Sequence, residues 1–317
     1  MNLLHRRHLL LGALALPAFV QAQDAPLQVV ASFSLLADMV AQVGGPAVQV
    51  HALVGPDADA HAFTPAPADA QRLAKAGLIV VNGLGFEGWI DRLVKASGSK
   101  APVLVASSGI TLRRVAGHTD PHAWQSLVAA QRYVENIRAA LVAALGTTRP
   151  AQAAAIDARA KAYTAQLAAL DTRVRARLAA IPPAQRRIVT SHDAFGYLAD
   201  AWGLEMRAAQ GWTSAGEPSA ADVARLIRQL KAQQARALFV ENISDPRLVE
   251  RIAREAGASV GGTLYSDALS PPGTRADSYL KLMTHNADTL LAALAPAPAL
   301  APAAAPTAAP TADNSRR

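Results

Sequence analysis

The chain of 317 residues contains no cysteine. This excludes disulfides, thiolate metal ligands and a lipid anchor carried on cysteine, so any metal chemistry falls to imidazole and carboxylate. Aromatic residues are scarce, at 5%, and nowhere interleave with clustered Lys or Arg. The balance is still basic, with 31 Lys and Arg against 24 Asp and Glu and a net charge of +7. Those cations are scattered along helical faces, which reads as a solvated surface and not as a nucleic-acid footprint. Long apolar runs are lacking too. Leu9 to Val20 falls short of the ~20 residues that a membrane-spanning helix needs.

What is present begins with an export pattern. His5-Arg6-Arg7-His8 forms a basic head, Leu9 to Val20 an apolar run, and Val20-Gln21-Ala22 a small-residue cleavage site. Residues 1–22 are therefore expected to be a signal peptide cleaved near Ala22, through the general secretory or the twin-arginine route. An exported chain without cysteine points to a Gram-negative periplasm, with no membrane anchor. Residues 295–317 are Ala, Pro and Thr rich, and repeated proline blocks both helix and sheet. A disordered tail without chemistry is expected there.

Between these ends, strand-like runs alternate with amphipathic ones. Gln28–Ser32, Val48–Val54, Leu78–Val81 and Val103–Val105 read as strands, and Ser34–Gly44, Pro67–Ala76 and Phe86–Ala96 as helices. Continuous apolar runs such as Leu78-Ile79-Val80-Val81 suit buried parallel strands. Helices are expected at Ser126–Leu145 and Pro150–Ala180. The second would be on the order of 45 Å long, too long for a crossover within one small sheet, and reads as a rigid strut. The pattern then repeats: strands at Arg187–Thr190, Ala237–Val240 and Ser259–Gly261, helices at Ala194–Trp202, Asp222–Ala232, Pro246–Ala256 and Ser278–Leu294. The expected fold is α/β, two lobes each with a parallel sheet flanked by helices, joined by a long linker helix. The expected divisions are an N-terminal lobe at 23–147, the linker helix at 148–184 and a C-terminal lobe at 185–294.

Four separated loops each offer one metal-ligand side chain: His61, His122, His192 and Asp267, with gaps of 61, 70 and 75 residues. Three imidazoles and one carboxylate are enough to close a tetrahedron around a divalent cation. His61 lies in the turn-rich Gly55–Pro65 segment. His122 follows Pro121 and precedes Trp124, His192 follows a strand end, and Asp267 sits in an irregular loop before Ser270-Pro271-Pro272. A lone histidine is more often a surface or core residue than a ligand. His51, within a strand, and His285, within a helix, keep that reading. Asp120, Asp193 and Glu241 are candidate acceptors for the ring N–H groups.

The segments Asp57–Asp69, Asn82-Gly83-Leu84-Gly85-Phe86-Glu87-Gly88-Trp89, Asp120-Pro121-His122-Ala123-Trp124, Glu217-Pro218-Ser219 and Gly262–Asp267 resemble the metal-specific (zinc/manganese) solute-binding proteins of ABC importers. The resemblance covers roughly residues 27 to 294. It implies two lobes joined by a long helix, one ion held between them, and ligand positions at His61, His122, His192 and Asp267. It implies an ABC permease with its ATPase as partner, a periplasmic metallochaperone as a further candidate, and a monomer. Three departures stand out. The His/Asp-rich loop of many zinc members is reduced to Gly117-His118-Thr119, with His118 expected to be an exposed bystander. Ala60 replaces an acidic residue found beside the first ligand in some zinc members. The lipid-anchor cysteine of many relatives is missing. His192 stands where manganese members usually have Glu, so Zn2+ is the expected cargo, with manganese or iron as the alternative.

Two enzyme readings compete. Treating Asp267 as a general base would make an exported zinc hydrolase, but no His-Glu-x-x-His stretch exists. Gly83-Leu84-Gly85-Phe86-Glu87-Gly88 matches G-x-G-x-x-G, yet Val103 to Ile110 lacks the acidic residue expected to follow. The glycines read as a tight turn with close helix packing. An adhesion protein is a third class, with no independent support on the chain.

Overall fold

The computed structural model describes residues 25–115, 117–208, 220–233 and 237–295. The expected signal peptide, residues 296–317 of the expected tail and the Glu217-Pro218-Ser219 motif lie outside the described residues.

The first sheet has four parallel strands in the order β2-β1-β3-β4: β1 (Leu27–Phe33), β2 (Val48–Val54), β3 (Leu78–Val81) and β4 (Val103–Val105). All four residues of β3 are buried, and so are the last five of β1. A strand covered on both faces needs this unbroken apolar run. Helices α1 (Ser34–Gly44), α2 (Pro67–Ala74) and α3 (Ile90–Ser97) connect these strands. Helix α3 starts four residues later than the sequence pattern suggests. Gly83, Leu84 and Gly85 all take positive φ, so the chain turns before it coils. A two-residue hairpin, β5 (Arg114–Val115) with β6 (His118–Thr119), follows.

Helix α4 (Leu127–Leu145) is capped by Ser126, whose hydroxyl accepts from the Ala129 N–H. Helix α5 (Pro150–Ala179) is 30 residues long, about 45 Å. Ile156, Ala160, Tyr163, Leu167, Leu170, Val174 and Leu178 form its buried stripe, at three- and four-residue spacing. It packs against α1 and α4 of the first lobe and against α9 (Tyr279–Leu294) and α6 (Gly196–Trp202) beside the second sheet.

The second sheet repeats the plan in the order β10-β9-β7-β8, again parallel. Its strands are β7 (Arg187–Thr190), β8 (Glu205–Ala208), β9 (Ala237–Glu241) and β10 (Ser259–Leu264), and α7 (Ala220–Gln233) and α8 (Pro246–Ala256) lie on one face. In each sheet the chain leaves the first strand to one side and returns on the other. This creates a crevice beyond the carboxyl ends, between β1 and β3 and between β7 and β9.

One apolar core runs through both lobes, joining Phe33 and Val80 of the first sheet to Trp124, Leu167, Phe195, Trp202, Phe239 and Leu264. A second, smaller core holds Val223, Ile227, Val249 and Ile252 of α7 and α8 against Val189 and Leu238.

Candidate metal centre

The four loops converge between the two crevices. His61 is carried by the loop after β2. Asp59 Oδ1 accepts its backbone N–H at 2.8 Å, and Trp89 Nε1 donates to the Ala60 carbonyl at 2.9 Å. Ala60 is fully buried, so the position beside the ligand serves packing. His122 follows Pro121, whose carbonyl accepts from Asn82 Nδ2 at 2.9 Å. Asn82 is itself held by the Tyr133 hydroxyl at 2.6 Å. His192 lies two residues beyond β7. Asp267 lies three beyond β10, in a loop fixed by Trp124 Nε1 and Gln125 Nε2, which donate to the Ser266 carbonyl at 2.9 and 2.7 Å. The His61 and Asp267 loops are tied directly: Asp57 N donates to Leu269 O at 2.8 Å, and Asn242 Nδ2 to Asp57 Oδ1 at 2.9 Å.

The ligand atoms of His61, His122, His192 and Asp267 all lie within 4.8 Å of one another. Nε2 of His61 is 3.3 Å from Nε2 of His122. Asp267 Oδ2 is 3.3 Å from Nε2 of His61, 3.3 Å from Nε2 of His192 and 3.9 Å from Nε2 of His122. A tetrahedron with arms of about 2.05 Å has edges of about 3.3 Å, so most of these spacings match four ligands of one zinc-sized ion. The side chains of His122, His192 and Asp267 are fully buried, and His61 is 5% exposed. Neither Asp267 oxygen accepts a hydrogen bond among the described residues. A buried carboxylate in that condition calls for a cation.

Two of the candidate acceptors fix ring orientation. Asp120 Oδ1 accepts the His122 backbone N–H at 2.9 Å and faces His122 Nδ1 at 2.9 Å. Glu241 Oε1 accepts the His192 N–H at 2.8 Å, and Oε2 stands 2.5 Å from His192 Nδ1. With Nδ1 against the Asp120 carboxylate, the His122 ring keeps its proton there and turns the Nε2 lone pair inward, and the Glu241 carboxylate holds the His192 ring by charge at the same position. Asp193 instead lends its charge to the surroundings of Arg113. Phe86 stands edge-on to His61 at 4.7 Å, and Trp124 to His122 at 5.3 Å, which walls off water.

Burial alone would push the Asp267 carboxyl up and the His192 imidazole down. The interactions with His192 and His122 together outweigh burial at Asp267 and hold it well below the usual carboxylate range. The carboxylates of Glu241 and Asp267 outweigh it at His192 and raise its pKa well above the ordinary value. A proton on His192 thus offsets part of the buried negative charge.

The glycine loop after β3 has a different occupant from a phosphate. Glu87 folds back over it: Oε1 accepts from Ser32 Oγ and Asn82 N, both at 2.6 Å, and Oε2 from Gly83 N at 3.1 Å. The backbone donors that enter the G-x-G-x-x-G turn, Asn82 N and Gly83 N, are satisfied by the chain's own carboxylate. His51 and His118 are exposed and His285 is half-buried, bonded to the Thr263 carbonyl at 3.0 Å; all three lie outside the cluster. Sequence reasoning missed Arg113, whose Nη1 donates to Asp120 Oδ2 at 3.0 Å, because nothing local marks a cation that serves a residue seven positions away.

Known proteins share this architecture. The chain is 32% identical over 283 residues to the zinc-binding protein TroA of Treponema pallidum, covering 86% of this chain and 91% of that one. It is 31% identical over 284 residues to the manganese-binding lipoprotein MntA of Bacillus subtilis, covering 86% and 92%. It is 30% identical over 285 residues to the iron ABC transporter substrate-binding lipoprotein MtsA of Streptococcus pyogenes, covering 86% and 91%. The solved structure of TroA superposes with a TM-score of 0.80 at 30% identity, covering 86% of this chain and 100% of that one. Fold and kinship together define a metal-binding solute-binding protein of ABC importers, a carrier and not an enzyme. Residues 29–293 match the family described as zinc-uptake complex component A, periplasmic, and the chain belongs to that family.

Proposed function

We propose that this chain captures Zn2+ between its lobes, with His61, His122, His192 and Asp267 as the four ligands, and delivers it to an ABC permease driven by its ATPase. The observation that carries the reading is the convergence of three Nε2 atoms and one buried carboxylate oxygen within 4.8 Å of one another, three of the distances being 3.3 Å. Relatives are named for zinc, manganese and iron, so kinship leaves the metal open and the zinc reading rests on ligand chemistry. Zinc accepts three imidazoles and one carboxylate in a closed tetrahedron. Manganese prefers more oxygen ligands and is the weakest binder of the divalent series. The lobes are residues 23–147 and 185–294 about the 148–184 helix. The protein works in the periplasm after cleavage near Ala22, as a monomer.

Elemental analysis of protein from its native compartment, followed by competition between Zn2+ and Mn2+, tests this. One zinc per chain, kept against a large excess of manganese, is the expected result. Displacement of zinc by manganese, or purification with manganese alone, overturns the zinc reading. Asp267→Ala is expected to lose zinc retention.

A further inference from the structure

Arg113 connects the two lobes at the site. It lies just before the β5–β6 hairpin, and its backbone is pinned at both polar groups. Arg113 N donates to the Tyr197 hydroxyl at 2.8 Å, and the Arg113 carbonyl accepts from Asp120 N at 2.9 Å. Its guanidinium forks. Nη1 donates to Asp120 Oδ2 and Nε to Asp200 Oδ2, each at 3.0 Å. Asp120 is the residue whose other oxygen faces His122 Nδ1. Asp200 and Tyr197 belong to α6, the helix that follows His192 and its strand.

The guanidinium packs directly against Gly196. A Cβ at that position would sit 2.3 Å from Arg113 Cζ and Nη1, so only glycine lets the guanidinium approach α6 this closely. The two partners differ in kind. Asp120 is fully buried, and its charge needs a cation if it is to remain an acceptor. Asp200 is 67% exposed and adds little by itself. It does, however, fix the guanidinium to the second lobe. A lysine could serve one carboxylate but not both, because it lacks the planar fork.

We propose that Arg113 is an interlobe latch. Contact with Asp200 on α6 sets the guanidinium, the guanidinium sets Asp120, and Asp120 sets His122, so the grip of His122 on the ion depends on α6 staying against the Arg113 segment. Separating α6 from the Arg113 segment then loosens a ligand of the first lobe without touching the ion. Arg113 is a positioning residue here. The inference rests on the metal-binding reading of the four ligands.

The test uses the full mature chain loaded with Zn2+. The zinc dissociation rate is read by capture with a chromophoric chelator, the geometry by the visible absorption of the Co2+ form, and folding by the thermal midpoint of the metal-free protein. Arg113→Gln should speed zinc loss by roughly tenfold or more, as expected when support for a metal ligand is removed, and should shift the Co2+ bands. Asp200→Ala should speed zinc loss about two- to fivefold, the scale of an exposed ion pair, with the metal-free midpoint unchanged. Arg113→Lys should behave like Asp200→Ala. In the Arg113→Gln background, Asp200→Ala should add nothing. Wild-type dissociation rates in Asp200→Ala and Arg113→Lys overturn the latch while leaving zinc binding intact, and they decide the matter even if Arg113→Gln fails to fold. A wild-type chain that holds no divalent metal overturns the site reading, and the latch with it.

Discussion

At the scale of single residues, the site is an arrangement of buried charge. Asp120, Glu241 and Asp267 are all inside the protein, and Arg113 and the imidazoles face them. The raised pKa of His192 and the lowered pKa of Asp267 set opposite limits on the metal-free protein. His192 contributes stability that is complete below its unfolded pKa of about 6.5 and is lost as pH rises through the higher folded value. Asp267 contributes stability present above its unfolded pKa of about 3.9 and lost as pH falls below it. The metal-free midpoint should therefore be highest between about pH 4 and 6.5 and decline above that window, whereas the zinc-loaded midpoint should not decline, because the ion replaces the proton. Calorimetry of both forms across pH 4 to 9 checks this. A metal-free midpoint that rises steadily through pH 8 would contradict it. The four candidate ligands stood out in the sequence because each stands in a turn beside a strand end or a proline. Asp120 is two residues from His122 and could be named from the sequence, whereas Glu241 reaches His192 from 49 positions away, across the sheet. Arg113 and the Phe86–Trp124 wall were not legible, since their roles arise from contacts between distant segments.

At the scale of elements, strands buried on both faces declare themselves, and edges do not. Strands β1, β3, β7 and β9 are apolar runs, and their places follow from composition. Strand β8, Glu205-Met206-Arg207-Ala208, is an edge with no fully buried residue, and its mixed composition hides it from pattern reading. The hairpin Arg114–Thr119 is too short to carry a period. Helix α3 is displaced by the turn at Gly83–Gly88, and that turn makes its own prediction. Gly83 and Gly85 share φ +82, but a Cβ at Gly83 would come within 2.5 Å of Val105 Cγ1, while Gly85 has nothing within 4 Å. Gly85→Ala should cost about 1 kcal/mol, from backbone strain alone. Gly83→Ala should cost about 1–3 kcal/mol more, because strand β4 must also shift. Urea unfolding of the two variants separates the terms, and equal losses would refute the packing role given to Gly83.

At the scale of the molecule, the continuity of the apolar core governs motion. Phe195, Trp202, Phe239 and Leu264 share a core with Phe33, Trp124 and Leu167, and α5 packs on helices of both lobes. Lobes joined through a large apolar interface do not swing freely. The radius of gyration from small-angle scattering should be the same with and without zinc, within measurement error. A marked expansion of the metal-free form would show that the shared core opens.

A fluorescent indicator for zinc made from this scaffold would therefore fail if designed on the usual clamshell plan. The chain's lack of thiols makes site-specific dye attachment simple, for instance through V103C on the first sheet and V260C on the second, both exposed positions. Energy transfer between those dyes would stay flat, since neither sheet travels. A single environment-sensitive dye on the loop of His61, the one partly exposed member of the four-residue cluster, is where an optical signal should be sought.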